Sequence, residues 1–255
     1  MDEGADRLYL RLPLTRWRER LEGVRQVGWG LELQLDNSAL FLDSLREVAA
    51  LDCALAGHQP RLAHLPNYGV QLGCKDGSIG ELSLAVARRG VEAAARLGCQ
   101  RAVYHTYLLP TIPAHKLDPW LATFLGRFER LVQEAGKLGV RLLVENVWER
   151  DGALFDRIFA GWEGQVGMCL DVGHAHCFSR RDFGWWWSRY APHIEHVHLS
   201  DNDGRDDSHR PPPEGTIPYQ AIWPTLWARP GLGITFEMPP AQAPAAWAHL
   251  RQWGG

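Results

Sequence analysis

Only three of the 27 basic residues are lysines (Lys75, Lys116 and Lys137), and 30 acidic residues leave a formal net charge of -3. A broad cationic face for nucleic acid is therefore lacking, because duplex binding draws on many phosphate contacts. The five cysteines are odd in number, and no two stand at the spacing of a zinc knuckle or a redox Cys-x-x-Cys. They are expected to be reduced thiols in a reducing compartment. No apolar run approaches the roughly 18 residues of a membrane span, and the opening Met-Asp-Glu-Gly-Ala-Asp is acidic where a signal peptide would be basic. A cytoplasmic protein without a membrane partner is expected. Neither Gly-x-Gly-x-x-Gly nor Gly-x-x-x-x-Gly-Lys-Ser/Thr occurs, so a dinucleotide or P-loop site has no support.

What is present is apolar substance: 45% of the 255 residues are hydrophobic, which excludes disorder and coiled-coil architecture. Short β-rich apolar runs alternate with stretches of helical period, the pattern of repeated βα units around a parallel sheet. Eight strand candidates can be read: 7–12, 30–35, 61–65, 100–105, 140–145, 166–171, 194–199 and 233–237. The clearest helices, 79–97 and 119–138, are each followed by a glycine (Gly98, Gly139) suited to a left-handed cap. No linker or composition break divides the chain, and about 250 residues is the usual length of a closed (β/α)8 barrel. Residues 1–255 are therefore expected to form a single (β/α)8 TIM barrel domain. Most of the twelve tryptophans, among them Trp120, Trp185, Trp186, Trp187 and Trp247, fall in helical stretches and are assigned to packing.

Polar groups recur at the ends of six consecutive strands: His64, His105, Glu145, Asp171, His198 and Glu237. In a parallel barrel every strand C-terminus points to the same mouth. Side chains 26 to 41 residues apart in sequence then converge there. Several carboxylates buried together are costly without a cation. Glu145, Asp171, His198 and Glu237 form an oxygen-rich set with one imidazole, which suits Mn²⁺, Mg²⁺, Co²⁺ or Zn²⁺ and argues against thiolate-preferring metals.

Leu-Leu-Val-Glu-Asn, Leu-Asp-Val-Gly-His, His-Leu-Ser-Asp-Asn-Asp-Gly, Asp-x-His-x-x-x-x-Glu-Gly-Thr-Ile and Thr-Phe-Glu resemble, in order and spacing, the xylose isomerase-like TIM barrels. That superfamily holds sugar isomerases and epimerases and the endonuclease IV type of apurinic endonuclease. The epimerase branch implies Glu145, Asp171, His198 and Glu237 as metal ligands, with Glu145 and Glu237 doubling as proton-transfer groups. It implies an isomerase or epimerase of a small sugar, sugar phosphate or hydroxy-ketone, acting through a metal-stabilised enediolate; a homodimer is compatible with this. His174 and Arg205 resemble positions that hold substrate oxygens, and Trp148 stands where it could stack on a sugar face.

The endonuclease branch, in which zinc cleaves abasic DNA, uses nine metal ligands. Counterparts of all nine are present: His64, His105, Glu145, Asp171, His174, His198, Asp207, His209 and Glu237. Against that activity stand the charge balance and Asn-Val-Trp-Glu-Arg-Asp in place of the branch's Asn-Thr-Ala-Gly-Gln-Gly. Nucleic acid is not the expected partner. The same metal-enolate chemistry also serves dehydratases of polyols and keto acids. A barrel that binds a metabolite without turning it over would be indicated by loss of Glu145 or Glu237, and both are present. Glu32 either hydrogen-bonds within the mouth or pairs with an arginine. His176, His193 and His196 are assigned to structure, His196 being expected to face away from the side His198 uses.

Overall fold

The computed structural model describes residues 5–35 and 44–254. Eight parallel strands close a barrel in chain order: β1 (Leu8–Pro13), β2 (Gly30–Gln34), β3 (Arg61–His64), β4 (Arg101–His105), β5 (Arg141–Glu145), β6 (Gly167–Asp171), β7 (Ile194–Leu199) and β8 (Gly233–Phe236). β1 pairs with both β2 and β8, which completes the ring. All eight expected strands are present with ends within one residue of the sequence reading.

Among the described residues the outer ring comprises α1 (Trp17–Val27), α2 (Ser44–Ala54), α3 (Gly77–Arg96), α4 (Leu117–Lys137), α5 (Ala153–Gly161), α6 (Val172–Phe178), α7 (Phe183–Tyr190), α8 (Tyr219–Trp227) and α9 (Ala243–Leu250). None is long and apolar enough to cross a membrane. α3 and α4 end as their glycines require. Gly98 and Gly139 take φ of 71° and 69°, and the residues after them, Cys99 and Val140, donate back to Ala94 O and Ala135 O at 2.9 Å. This Schellman closure turns the chain straight into β4 and β5.

Alternation along each strand separates two apolar regions. Leu8, Leu10 and Leu12 of β1 belong to the large layer between strands and helices, where Trp186 and Trp223 are fully buried as the packing assignment anticipates. Tyr9, Leu62, Val103, Leu143 and Cys169 form a second cluster that fills the barrel itself. Space for the large rings among them comes from inward glycines. A Cβ on Gly30 would lie 2.8 Å from the Tyr9 ring, and one on Gly233 would collide with His196 Nδ1. The barrel is thus a packed core, polar in its upper layer and, below that, at the buried Glu32, His196 and Thr235.

Gly233→Ala is expected to lower the free energy of unfolding by about 1–3 kcal/mol through overpacking. Gly126→Ala, on α4 with nothing within 4 Å of its Cβ, should raise it by about 0.5–1 kcal/mol. Urea midpoints of the two variants check both signs.

Candidate metal centre

The polar layer is built by strand ends that are tied to each other. Asn146, just past β5, donates from Nδ2 to Asp171 O and accepts the Asp171 N–H on Oδ1, both at 2.9 Å, which locks the ends of β5 and β6 in register. α6 starts directly after β6, and Asp171 caps it by accepting the His174 N–H on Oδ1 at 2.6 Å. One carboxylate oxygen is therefore committed to the helix, and Oδ2 is left facing the barrel axis. The loop after β7 is pinned in the same way. Asp201 exchanges backbone hydrogen bonds with Arg210 and accepts from the N–H groups of Gly215 and Ile217 at 2.9 and 3.1 Å. That frame carries Asp207 and His209 over the mouth.

Three donor clusters adjoin there. In the first, His198 Nδ1 lies 3.4 Å from Glu145 Oε1, 3.8 Å from Asp171 Oδ2 and 3.5 Å from Glu237 Oε1. In the second, Glu145 Oε2 lies 2.8 Å from His105 Nε2 and 3.3 Å from His64 Nε2, and the two ring nitrogens are 3.1 Å apart. In the third, Asp207 Oδ2 lies 3.2 Å from His174 Nε2 and 2.8 Å from His209 Nε2. Glu145 serves the first two clusters, one oxygen to each.

The imidazoles are oriented for ligation. His64 Nδ1, His174 Nδ1 and His209 Nδ1 each donate to a main-chain carbonyl, of Leu65, Asn146 and Glu237, at 3.0, 2.9 and 2.7 Å. His198 Nε2 donates to Glu32 Oε2 at 2.9 Å. A carbonyl or carboxylate cannot donate, so in each ring that nitrogen carries the proton and the opposite one turns its lone pair to the cluster. Glu145 Oε2, Asp171 Oδ2, His198 Nδ1 and Asp207 Oδ1 are buried with no hydrogen-bond partner among the described residues. Two ligands at ~2.1–2.3 Å from one tetrahedral ion stand about 3.4–3.8 Å apart, the spacing of the first cluster. The residues fit a divalent metal.

Without a metal, protons take its place. Burial opposes charge on Glu145, but His105 and His198 outweigh it and hold the carboxyl well below its usual range. Glu237 falls to about 2 for the same reason, against burial and with help from His198 and Arg11. Asp171 goes the other way, pushed up to about 7 by burial and by the charges of Glu145 and Glu237. Burial would discharge His174 and His198, yet the carboxylates around them raise both well above an ordinary imidazole. His209, against the same penalty, rises to about 9 beside Asp207.

The clusters floor a pocket of about 290 Å³ whose wall includes Arg11, Tyr68, Tyr107, Trp148 and Phe178. Trp148 stands edge-on to Tyr107 with centroids 5.4 Å apart. Tyr107 and His209 are the non-glycine residues with positive φ among those described, at 59° and 48°, and both line this pocket, where backbone strain concentrates at a working surface.

The structure brings together His64, His105, Glu145, Asp171, His174, His198, Asp207, His209 and Glu237, with Trp148 at the rim. It leaves Arg205 out: that side chain is exposed, its backbone N–H bonds to Asp203 Oδ1 at 3.1 Å, and it does not line the pocket. His196 departs from expectation. Residues two apart on a strand share a face, so His196 points inward with His198, one layer deeper, and bonds to Thr235 Oγ1 at 2.7 Å. His176 bonds to Thr216 and His193 stacks on Phe159 at 4.0 Å, both away from the centre. Arg11, 3.5 Å from Glu237, escapes the sequence reading, although an arginine on the inward phase of Leu-Tyr-Leu-Arg-Leu is a usable signal.

A family model described as xylose isomerase-like TIM barrel matches residues 30–254. No curated protein matches the chain. Among solved structures, the TTHB071 protein from Thermus thermophilus, described as soaked with ZnCl2, is 28% identical with a TM-score of 0.86, covering 98% of each chain. The 3-keto-D-glucoside 4-epimerase YcjR from E. coli is 18% identical with a TM-score of 0.73, over 97% of this chain and 99% of that one. D-psicose 3-epimerase from Clostridium cellulolyticum H10, with D-tagatose, is 13% identical with a TM-score of 0.75, over 95% and 98%.

The protonated groups set a pH window for the metal-free protein. His209 titrates near 9 folded against 6.5 as its ordinary value, and Asp171 near 7 against 3.8. Both folded values are raised, so the stabilisation they bring is complete below the unfolded pKa and is lost as pH rises through the folded one. Urea midpoints in EDTA should therefore fall between about pH 6 and pH 9, and saturating zinc should flatten that decline while releasing protons into a weakly buffered solution. A flat EDTA profile would contradict the assignment.

Proposed function

The chain belongs to the xylose isomerase-like TIM barrel family, and from that membership we propose that it is a divalent-metal-dependent isomerase or epimerase. Its substrate is a small sugar, sugar phosphate or related hydroxy-ketone, and residues 1–255 act as one catalytic domain. The observation that carries this reading is the approach of two carboxylates from different strands to one point: the Oε1 atoms of Glu145 and Glu237 stand 3.4 and 3.5 Å from the same His198 Nδ1. They do so on the floor of a pocket of about 290 Å³, room for a monosaccharide.

Glu145, Asp171, His198 and Glu237 would hold the ion, whose Lewis acidity polarises a carbonyl and acidifies the neighbouring C–H. Glu145 and Glu237 are the proton-transfer pair: one removes the α-proton to leave an enediolate, and return of a proton by the other, to the opposite face or the adjacent carbon, gives epimer or isomer. His174, whose Nε2 faces Asp207, holds a substrate oxygen. Trp148 offers its ring to the sugar face.

A second reading, hydrolysis of a phosphate ester, is favoured by one specific observation. The His64/His105 cluster and the His174/Asp207/His209 cluster adjoin the first, so the counterparts of all nine metal ligands of the endonuclease branch, which holds three zinc ions, stand side by side. The small pocket and the scarcity of lysine speak against duplex DNA as substrate. Purified protein offered ketoses, inositols and their phosphates in deuterated water should incorporate deuterium at a carbon beside the carbonyl, whatever the metal count. No exchange with any of them, together with three bound zinc ions and cleavage of bis(p-nitrophenyl) phosphate or abasic DNA, would overturn the isomerase reading in favour of the hydrolase.

Glu145→Gln and Glu237→Gln keep size and one oxygen ligand but remove charge and the proton acceptor. Turnover should fall by about 10²–10⁴, and excess metal should restore occupancy without restoring rate. Recovery of near-normal rate in excess metal would make the glutamates ligands only and move the base to His174.

A further inference from the structure

We propose that Glu32 is a positioning residue for the metal centre, fixing which nitrogen of His198 faces the ion. The inference rests on the reading of His198 as a ligand. Glu32 and His198 are both fully excluded from solvent, and they come from strands on different sides of the ring, β2 and β7, so their bond crosses the barrel interior. Glu32 Oε2 accepts from His198 Nε2 at 2.9 Å and from the Thr235 hydroxyl at 2.6 Å. Thr235 Oγ1 has one proton, which it gives to the carboxylate, so it accepts from His196 Nε2 at 2.7 Å. Every proton in the column has one direction, His196 to Thr235 to Glu32 and His198 to Glu32. Glu32, His196 and His198 also present donor atoms at metal-ligand spacing, but Glu32 Oε2, His196 Nε2 and His198 Nε2 are already engaged in these hydrogen bonds. The column is therefore a support for the centre above it.

The consequence falls on His198 Nδ1. With Nε2 held as a donor, the lone pair sits on Nδ1, the atom aimed at Glu145, Asp171 and Glu237. A carboxylate on the far nitrogen also makes the ring a stronger ligand, and loss of such partners typically costs about 10–100-fold in metal affinity.

The test uses the zinc-loaded full chain, ¹⁵N-labelled at histidine. In the unmodified protein His198 should appear bound through Nδ1 with a downfield, slowly exchanging Nε2–H; zinc on Nε2, or a freely exchanging Nε2–H, overturns the proposal without any variant. Glu32→Gln should weaken zinc binding at His198 by about 10–100-fold in competition with a chelator and shift that proton upfield, and Thr235→Val should do so to a smaller degree. His198→Ala should remove one equivalent of zinc. If it removes none, the ligand reading itself fails. If it removes one while a folded Glu32→Gln keeps wild-type affinity and the same Nε2–H signal, only the role of Glu32 is lost.

Discussion

Mutual repulsion among Glu145, Asp171 and Glu237 is the constraint to which the upper half of this barrel answers. Three carboxylates at or below 5% exposure are tolerable in a protein interior only if positive charge reaches them, and each neighbouring device supplies some. Imidazoles approach from β3, β4, β7, α6 and the loop after β7, Arg11 comes up beside Glu237, and the N-terminus of α6 consumes one oxygen of Asp171. The apolar plug of Tyr9, Leu62, Val103, Leu143 and Cys169 beneath keeps water out, which strengthens every attraction and every repulsion in the layer above.

Much of this is legible in the chain because a parallel barrel writes its architecture plainly. Strands buried on both faces read as short apolar runs, and the polar residue that ends each run marks the mouth. The eight strands and the six strand-end residues follow from that regularity; His174, Asp207 and His209 come from the resemblance in motif. What escapes depends on side-chain direction. The sequence reading turns His196 away from His198, although a period of two places them together. Glu32 offers no partner in sequence, because its partners His198 and Thr235 lie 166 and 203 residues away.

Loops are the other blind spot. Arg205 and Asp207 are two residues apart, yet only the second reaches the site. The difference is set by Asp201, whose hydrogen bonds fix the loop's path, and by Gly215, where a Cβ would strike the Asn202 backbone. No periodicity encodes such a path. The likeness to epimerases at 13% and 18% identity conveys the barrel and leaves the chemistry to the residues.

One carboxylate shared between two donor sets makes those sets thermodynamically inseparable. Glu145 turns Oε1 to His198 and Oε2 to His64 and His105, so a cation gathered by either set fixes the χ angles and the charge that the other must use. Were both sets to hold a cation, their occupancies would be linked by a coupling free energy, and linkage is reciprocal: whatever factor the first cation contributed to the affinity of the second, the second would return to the first. The response of such a centre to metal supply would then be a property of the bridge.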